Sequence, residues 1–252
     1  MRLFWFLLFA LVATAAHAGG PFYVTTGGSD SNDCLTLSSS CRSIQHAVDL
    51  TPNAEASTII IGPGTWNIGG HVFYYKVVSF VGNSGGGCDP TQTIITLFGG
   101  DAAFTFEDHA IGTISCLTIN SVGSTSVGVL TRQFTIADLY FVSFGPMAGG
   151  VHVAVRELSK LSYLGGVHVT GSAINHIVLS DGSVVMMAGT IQVDADLSFD
   201  TFGVVTNKSL LNGSGGTMSN GSPIHGHSRC ADASSMLIEP KNGFPGENGP
   251  RC

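Results

Sequence analysis

The segment GVLTRQFTIADLYFVSFGPMAGGVHVAVRELSK, residues 128–160, contains two copies of one pattern. In GVLTRQFTI (128–136) and again in HVAVRELSK (152–160), a short apolar run is followed by a few polar residues and a return to apolar or small ones. The two copies start 24 residues apart. A sequence period of roughly 20 to 50 residues indicates a solenoid, a propeller or another repeat architecture.

Three further copies flank this pair: AFTFEDHAI from Ala103, HIVLSDGSV from His176 and GVVTNKSLL from Gly203. The second residue of each copy marks the register, at Phe104, Val129, Val153, Ile177 and Val204, with offsets of 25, 24, 24 and 27. A looser copy, HVFYYKVVS, starts at His71, and the stretch GNSGGGC (82–88) can lie in a loop after it.

Short strands at a fixed period with no helical pattern between them favour an all-β, single-stranded parallel β-helix of about six or seven coils. Equivalent residues of successive coils would lie about 4.8 Å apart, so the register residues form an inward column. A β-sandwich would show hairpin signals inside the repeat, and Asn212-Gly213 lies outside it. A leucine-rich repeat would need a leucine framework that is absent.

The first eighteen residues, MRLFWFLLFALVATAAHA, combine one Arg, an apolar core and the ending Ala-His-Ala, which predicts a secretory signal peptide cleaved near Ala18. No later segment has the roughly 18 consecutive apolar residues that a transmembrane helix needs, so we expect a secreted or periplasmic protein. The mature chain carries nine Lys and Arg against seventeen Asp and Glu, without basic clusters, which argues against nucleic acid as a partner.

An even number of cysteines in an exported chain favours disulfides over a zinc site, for which no CxxC or HxxxH spacing occurs. We expect Cys34 to pair with Cys41 across the polar loop LTLSSS. Pairing of Cys88 with Cys116 and of Cys230 with Cys252 is expected next, although the sequence allows other connectivities.

The segment before the repeat predicts a cover for the end of the solenoid, because an open stack exposes its core. A capping helix is expected at about 40–51, with Ser40 as N-cap, Ile44 and Val48 on the buried face, and Pro52 after its end. The isoleucines at 59–61 then begin the first buried strand.

The strings FYVTTGGSDSNDC (22–34), CRSIQHAVDL (41–50) and TIIIGPGTW (58–66) resemble the opening of secreted right-handed β-helix proteins of the pectin-lyase-like superfamily, with Trp66 where Tyr is usual. The resemblance covers about 45 residues and implies a right-handed β-helix, and the period extends this expectation to residues 19–211, including the N-terminal cap. It does not imply one activity, since that superfamily includes lyases, hydrolases, esterases, tailspikes and adhesins. The motifs expected of a polygalacturonase or a pectin esterase are absent.

A lyase would need acidic residues to hold Ca²⁺ and a uronate, and a base to remove a proton. The polar part of the repeat is expected to stack as one charged column. Arg132, Arg156 and Asp181 are the candidate catalytic residues, Glu107 and Asp108 are candidates for carbohydrate or cation binding, and Lys208 ends the column. A solvated turn with charges of alternating sign is the competing interpretation.

Several other polar groups are candidate ligands. Asp194 and Asp196, two residues apart, are expected on one side of a strand and could bind carbohydrate or a cation. His152 and His176 share a repeat position and His168 recurs in a second GGVHV; stacked imidazoles could bind a metal, but a hydrogen-bonded ladder on the surface is the preferred interpretation. Asp30, Asn32 and Asp33 could ligate Ca²⁺ or simply form a turn. The Asn-x-Ser sequons lie at Asn207, Asn212 and Asn220.

From Asn212 the sequence loses the periodicity and becomes rich in Gly, Ser, Asn and Pro, so residues 212–252 are expected to form an irregular cap or tail. The sequence as a whole predicts an exported β-helix that binds polysaccharide along a sheet face and could also process it. No cofactor is predicted apart from the Ca²⁺ option. The alternative is a non-catalytic structural or adhesive module, such as a surface protein or a tailspike-like fragment.

Overall fold

The computed structural model describes residues 20–70, 72–82, 87–99, 102–123, 126–220 and 225–244. This part of the chain is an all-β parallel solenoid of about seven coils with one short helix. Each coil contributes one strand to each of three parallel sheets, so the predicted β-helix is confirmed. The predicted signal peptide, residues 1–18, lies outside the described residues.

The first sheet has nine strands, which are numbered here in chain order. They are β1 (Pro21–Val24), β2 (Ala56–Ile61), β5 (Val77–Gly82), β8 (Ile111–Ser115), β11 (Ile136–Tyr140), β13 (Lys160–Tyr163), β16 (Val184–Met187), β19 (Leu210–Asn212) and β22 (Met236–Ile238). Every strand pairs in parallel with its neighbours in this order, as in Ile136 opposite both Ile111 and Lys160.

The second and third sheets share one long strand, β12 (Ser143–Val155), which runs through the corner between them. The second sheet contains β3 (Gly64–Ile68), β6 (Thr93–Leu97), β9 (Thr118–Ser121), the first part of β12, β14 (Val167–Val169), β17 (Thr190–Val193) and β20 (Thr217–Asn220). The third contains β4 (Val72–Tyr74), β7 (Ala102–Glu107), β10 (Val127–Thr131), the rest of β12, β15 (Ala173–Leu179), β18 (Ser198–Val205) and β21 (His225–Ala231).

The predicted inward column is confirmed over four coils and shifts in the fifth. Phe104, Val129, Val153 and Ile177 pair in register and are fully buried. The next member is Gly203, whereas Val204 pairs with Val178 on the outer side. Because Gly203 has no side chain, the core of this coil is filled from the adjacent position by Phe202, whose ring contacts that of His176. The looser copy is also displaced by one residue, with Val72 opposite Thr105.

The cap is a helix, α1 (Ile44–Leu50), that starts later than expected. Ser43 is the N-cap, and its hydroxyl accepts the N–H of His46. The predicted N-cap, Ser40, is instead buried against Thr25, with the two hydroxyls 2.6 Å apart. Cys41 cannot be helical because its N–H donates to Tyr23 O, which extends the cap residues beside β1. The buried face, Ile44 with Ala47 and Val48, is as predicted.

The coils continue beyond residue 211, where the sequence analysis ended the repeat. Strands β20, β21 and β22 pair in parallel with β17, β18 and β19. The Gly- and Ser-rich composition hid them because Gly213 and Gly216 lie at a corner, where small residues allow close backbone approach. Among the described residues, no helix is long and apolar enough to span a membrane.

The disulfides Cys34–Cys41 and Cys88–Cys116 are present as predicted. Cys252 lies outside the described residues, so its pairing with Cys230 stays a prediction.

Candidate functional site

The corner between the third and first sheets is a tight turn that repeats from coil to coil. In five successive coils, its two central residues have the positive φ of left-handed backbone: Asp108 and His109, Gln133 and Phe134, Glu157 and Leu158, Asp181 and Gly182, Asn207 and Lys208. Two consecutive left-handed residues reverse the chain in the fewest residues, and they stack because each N–H at the third turn position donates to the next coil, as from His109 to Gln133 O.

The predicted charged column is in fact three separate columns at this corner. Since Phe106 pairs with Thr131, and Thr131 with Val155, the first turn position holds Glu107, Arg132 and Arg156. The second position holds Asp108, Glu157 and Asp181, and Lys208 lies at the third. The sequence predicts a single column because the repeat copies align by polarity. The backbone conformation divides the same residues among three turn positions.

The candidate lyase residues have structural partners at this corner. Glu107, which is 2% exposed, forms an ion pair with Arg132. Asp181 accepts hydrogen bonds from Ser180 Oγ at 2.7 Å and from Asn207 Nδ2 at 3.0 Å. The Glu107–Arg132 and Asp181–Asn207 contacts link neighbouring coils, and Glu107 is buried rather than solvated as the turn interpretation expected. Arg156 is exposed on the same edge.

Stacked rings run along this edge. The Tyr75 and His109 rings are 6.2 Å apart and the His109 and Phe134 rings 5.5 Å apart, in both cases nearly parallel. Tyr75, Phe134 and Leu158 are more than half exposed. Because the rings face one another along the solenoid axis, they present edges rather than faces to solvent.

The outer face of the second sheet is mostly polar in the described coils. Alternate residues of each strand point outward, and the strand register aligns them in two rows. The first row is Thr65, Ile94, Thr118, Ser143, His168, Gln192 and Ser219. The second is Asn67, Thr96, Asn120, Gly145, Thr170 and Asp194. Only His168 and Asp194 among them are ionisable, so the face is almost uncharged.

His168 and Asp194 form the one ionisable pair on this polar face. His168 Nε2 lies 2.6 Å from Asp194 Oδ1, and both side chains are about 40% exposed. A carboxylate can only accept, so Nε2 carries the proton and, in the neutral ring, Nδ1 keeps a lone pair. The pair can therefore accept a ligand hydroxyl at Nδ1 and at the remaining carboxylate oxygen.

Asp194 and Asp196 do not form the predicted pair on one strand face. Strand β17 ends at Val193, and Asp196 follows in a turn with a φ of 61°. The Asp194 N–H still donates to Val169 O at 3.0 Å, but the chain then turns, and the left-handed Asp196 no longer follows the strand alternation.

An aromatic side chain lies beside the first row. Phe141 is 51% exposed, and its ring lies across Gly165 and Gly166 of the next coil. A Cβ built on either glycine would lie 3.5 Å from a ring carbon, Cδ2 for Gly165 and Cδ1 for Gly166. The Phe141 ring therefore lies next to the glycine pair while about half of the side chain stays exposed.

A loop forms a wall at the same corner. Thr118 Oγ1 donates to Pro90 O at 2.8 Å, and the Cys88–Cys116 disulfide fixes the described end of this loop to the corner. Asp89 stabilises the turn by accepting from the Thr91 N–H and hydroxyl. The polar face is therefore bounded on one side by residues 87–92 and Phe141.

His152 and His176 share a column as predicted, but the preferred surface ladder is wrong, because both are fully buried. Their Nδ1 atoms are 2.9 Å apart, His152 Nε2 is 3.0 Å from Gly145 O, and His176 Nε2 is 3.4 Å from Tyr163 Oη. Since Gly145 O can only accept, His152 donates from Nε2 and accepts at Nδ1. His176 must then donate from Nδ1 and accept the Tyr163 hydroxyl.

This chain of hydrogen bonds is complete with both imidazoles neutral, and their burial favours that state. Burial lowers the pKa of His152 to about 3, although the Gly145 hydrogen bond acts in the opposite direction. Burial, and then the neighbouring His152, lower the pKa of His176 well below its usual range. The pair is therefore a satisfied polar element of the core.

The predicted calcium ligands near the N-terminus serve the backbone. Asp30 Oδ1 accepts the N–H groups of Arg42 and Ser43. Burial acts to raise the pKa of Asp30, but these bonds together with the Ser43 side chain lower it overall. Asp33 Oδ1 accepts from Leu35 N–H and Ser39 Oγ. Turn formation explains these carboxylates.

Apart from Asp194 and His168, the residues of this polar sheet face were not named from the sequence. A signal existed: TWN (65–67), TIN (118–120), HVT (168–170) and QVD (192–194) each place one buried apolar residue between two polar ones. Comparison of the chain with protein-family models, curated proteins and solved structures finds no match. The pectin-lyase-like resemblance therefore depends on the opening motif and on the parallel solenoid.

Proposed function

We propose that this protein binds an extended, largely uncharged polysaccharide along the outer face of the second sheet. The observation that carries the proposal is the pair of polar rows on that face, repeated at the spacing of about 4.8 Å between coils. Hydroxyl, amide and imidazole groups can both donate to and accept from sugar hydroxyls. A repeated set of them fits a repeated ligand.

The charge of the face favours a neutral glycan over a polyuronate. Binding a row of uronate carboxylates would require Lys or Arg along the rows, because these cations pair with carboxylates through charge-assisted hydrogen bonds. The described members of the two rows include no Lys or Arg, and their one carboxylate, Asp194, would repel uronates. Arg132 and Arg156 lie at a different corner of the solenoid.

Phe141 provides the apolar contact that such a site needs. The C–H groups of a pyranose ring can pack on an aromatic face, and burying that face excludes water from adjacent hydrogen bonds. Phe141 meets this requirement because its ring lies on Gly165 and Gly166 beside the first row. Phe134, which is 57% exposed, does not, because its ring stacks on His109.

The export signal predicted at residues 1–18 and the two disulfides support an extracytoplasmic glycan as partner, since disulfides persist in oxidising compartments. The resemblance to the pectin-lyase-like superfamily supports a carbohydrate ligand in the same way. The right-handed sense of the coils is part of this proposal.

A glycan array with neutral and acidic polysaccharides tests the proposal. Phe141→Ala should weaken retention of the bound neutral glycan by roughly tenfold, because one stacking contact is worth about 1 to 1.5 kcal/mol. Phe134→Ala is the matched control and should leave retention unchanged. Retention of polyuronates alone, or equal loss in both variants, would contradict the proposal.

Cleavage of the bound chain stays a separate prediction. Polygalacturonate and neutral glycans would be incubated with and without Ca²⁺, and ultraviolet absorbance of unsaturated ends and new reducing ends would be followed. Turnover that Arg132→Ala or Arg156→Ala abolishes would favour a lyase. Turnover that survives both substitutions would exclude the two arginines as the catalytic base.

The alternative, a non-catalytic adhesive module, is favoured by the apolar edge at the tight corner. Tyr75, Phe134 and Leu158 are more than half exposed there, and Ile111 and Ile136 are exposed two residues after the turn. Exposed apolar patches of this kind mark interaction sites. Loss of surface adhesion in Phe134→Ala but not in Phe141→Ala would favour this function.

A further inference from the structure

A cleft of about 400 Å³ lies at the N-terminal end of the solenoid, away from the coils that carry Phe141 and His168. Its walls are the cap, through Thr26 and Arg42, and the outermost strand of the second sheet, β3. The size is that of a site for a small molecule or a few residues of peptide. The glycan proposal uses only the outward side chains of Thr65 and Asn67, which end the two polar rows at this cleft.

Strand β3 offers unpaired backbone groups to the cleft. Within the described chain, β3 pairs only with β6. Gly64 N–H donates to Gln92 O and Ile68 O accepts from Phe98 N–H, so Gly64 and Ile68 face β6. In a parallel ladder, alternate residues point to opposite sides, so the N–H and C=O groups of Thr65 and Asn67 point away from β6. These are the groups with which an edge strand binds an extended peptide.

Arg42 adds a positive charge beside that edge. Its backbone N–H is held by Asp30, but within the described residues no carboxylate lies within ion-pair distance of its guanidinium. A guanidinium is planar and binds a carboxylate through two parallel hydrogen bonds. The Arg42 side chain is exposed and lines the cleft.

The floor of the cleft is apolar. Ile44, Trp66 and Ile68 contribute to the lining while being at least nine-tenths buried. Trp66 is fixed in place because its Nε1–H donates to Gly62 O at 3.1 Å. An apolar side chain of a ligand could therefore pack on this floor while its backbone pairs with β3.

We propose that this cleft binds the C-terminal end of an extended peptide, whose backbone pairs with Thr65 and Asn67 and whose terminal carboxylate binds Arg42. A free edge, a cation and an apolar floor together favour a peptide over a sugar acid, because a sugar acid has no regular alternation of donor and acceptor to match β3. This inference uses the backbone groups of Thr65 and Asn67 and the Arg42 guanidinium, whereas the glycan proposal uses the outward side chains of the rows.

Trp66 makes the test direct. The chain has two tryptophans, Trp5 and Trp66, and Trp5 lies in the predicted signal peptide, so protein produced from Gly19 has Trp66 as its single tryptophan. Its fluorescence would be titrated with tripeptides such as Ala-Val-Ile, carrying either a free or an amidated C-terminus, and with glucuronate. We expect a saturable change with the free acid and roughly tenfold weaker binding of the amide, since the amide cannot form the charge-assisted hydrogen bonds to Arg42.

Variants separate the contributions. Arg42→Gln should abolish the preference for the free acid, whereas Arg156→Gln, an exposed Arg at the tight corner, should not change it. Asn67→Pro removes an N–H that the β3–β6 ladder does not use, so it should weaken both peptides, with Asn67→Ala as control for the side chain. Equal affinity for acid and amide, tighter binding of glucuronate than of any peptide, or no response to Arg42→Gln would overturn the proposal. Glycan retention by Arg42→Gln reports separately on the second-sheet face.

Discussion

At the scale of single residues, the buried pair His152 and His176 makes the clearest prediction. The folded pKa of His152, about 3, lies below its ordinary value of 6.5, so the unfolded chain binds more protons between these two pH values. Stability from this group is therefore fully present above pH 6.5 and is lost as the pH falls. At pH 5 the loss is about 2 kcal/mol from His152, and His176 adds to it.

Urea unfolding at pH 7 and pH 5 measures this loss. His152→Phe should reduce the dependence while lowering stability at pH 7, since Gly145 O loses its donor. Equal unfolding free energies at the two pH values would show that the imidazoles are not held neutral in the core.

The burial of the apolar residues could be predicted from the sequence, but the burial of these histidines could not, for a physical reason. Phe104, Val129, Val153 and Ile177 follow from hydrophobicity and period alone. A buried imidazole depends on partners from other coils, here Gly145 and Tyr163, and no local pattern specifies them. The polarity of histidine therefore predicts a surface position for both side chains, although both are buried.

At the scale of the element, the left-handed turns of the tight corner predict a graded response to substitution. Gln133 has a φ of 61°, where a β-branched side chain clashes with the following carbonyl. Gln133→Val should destabilise the protein by about 1 to 2 kcal/mol, and Gln133→Asn should be neutral or slightly stabilising. Urea midpoints compare the two variants, and a smaller loss for Val than for Asn would argue against this turn conformation.

The corner between the second and third sheets predicts a second contrast, between two glycines. A Cβ at Gly171 would lie 2.0 Å from Pro146 N, whereas a Cβ at Gly69 would meet nothing within 4 Å. Gly171→Ala should therefore cost about 3 kcal/mol, because backbone must move, and Gly69→Ala should change stability little. Equal thermal midpoints for the two variants would show that the Gly171 backbone does not lie against Pro146.

The elements also show where sequence signals stop. The capping helix was predicted, but its start moved from Ser40 to Ser43 because a bridge to β1 holds Cys41 extended. A serine can be the N-cap only if its hydroxyl is free to accept a helix N–H. The Ser40 hydroxyl is hydrogen-bonded to the Thr25 hydroxyl instead. The polar rows of the second sheet were similarly present as polar-apolar-polar triplets, but only the register shows that they align.

At the scale of the whole molecule, the solenoid is stabilised between neighbouring coils, so its C-terminal strands should matter. Strands β20, β21 and β22 cover the coil containing Phe202, Val205 and Leu211, all buried. Ending the chain after Asn212 would expose such side chains, at roughly 1.5 to 3 kcal/mol each. We expect a large fall in the urea midpoint. An unchanged midpoint would instead support the prediction that residues 212–252 are irregular.

The period predicted the architecture of the whole chain, but not its binding surface. A repeat of apolar residues specifies what lies inside a coil. The polar outer face is bordered by the loop at 87–92 and by Phe141. These features interrupt the repeat, so the period does not predict them.

Amide hydrogen exchange with and without a retained neutral glycan tests the central claim most directly. Glycan bound along the second sheet should slow exchange in peptides covering 118–120, 141–145, 168–170 and 190–194, and leave the tight corner at 107–111, 132–136 and 156–160 unchanged. Protection confined to the tight corner, with none on the second sheet, would contradict the proposed binding face.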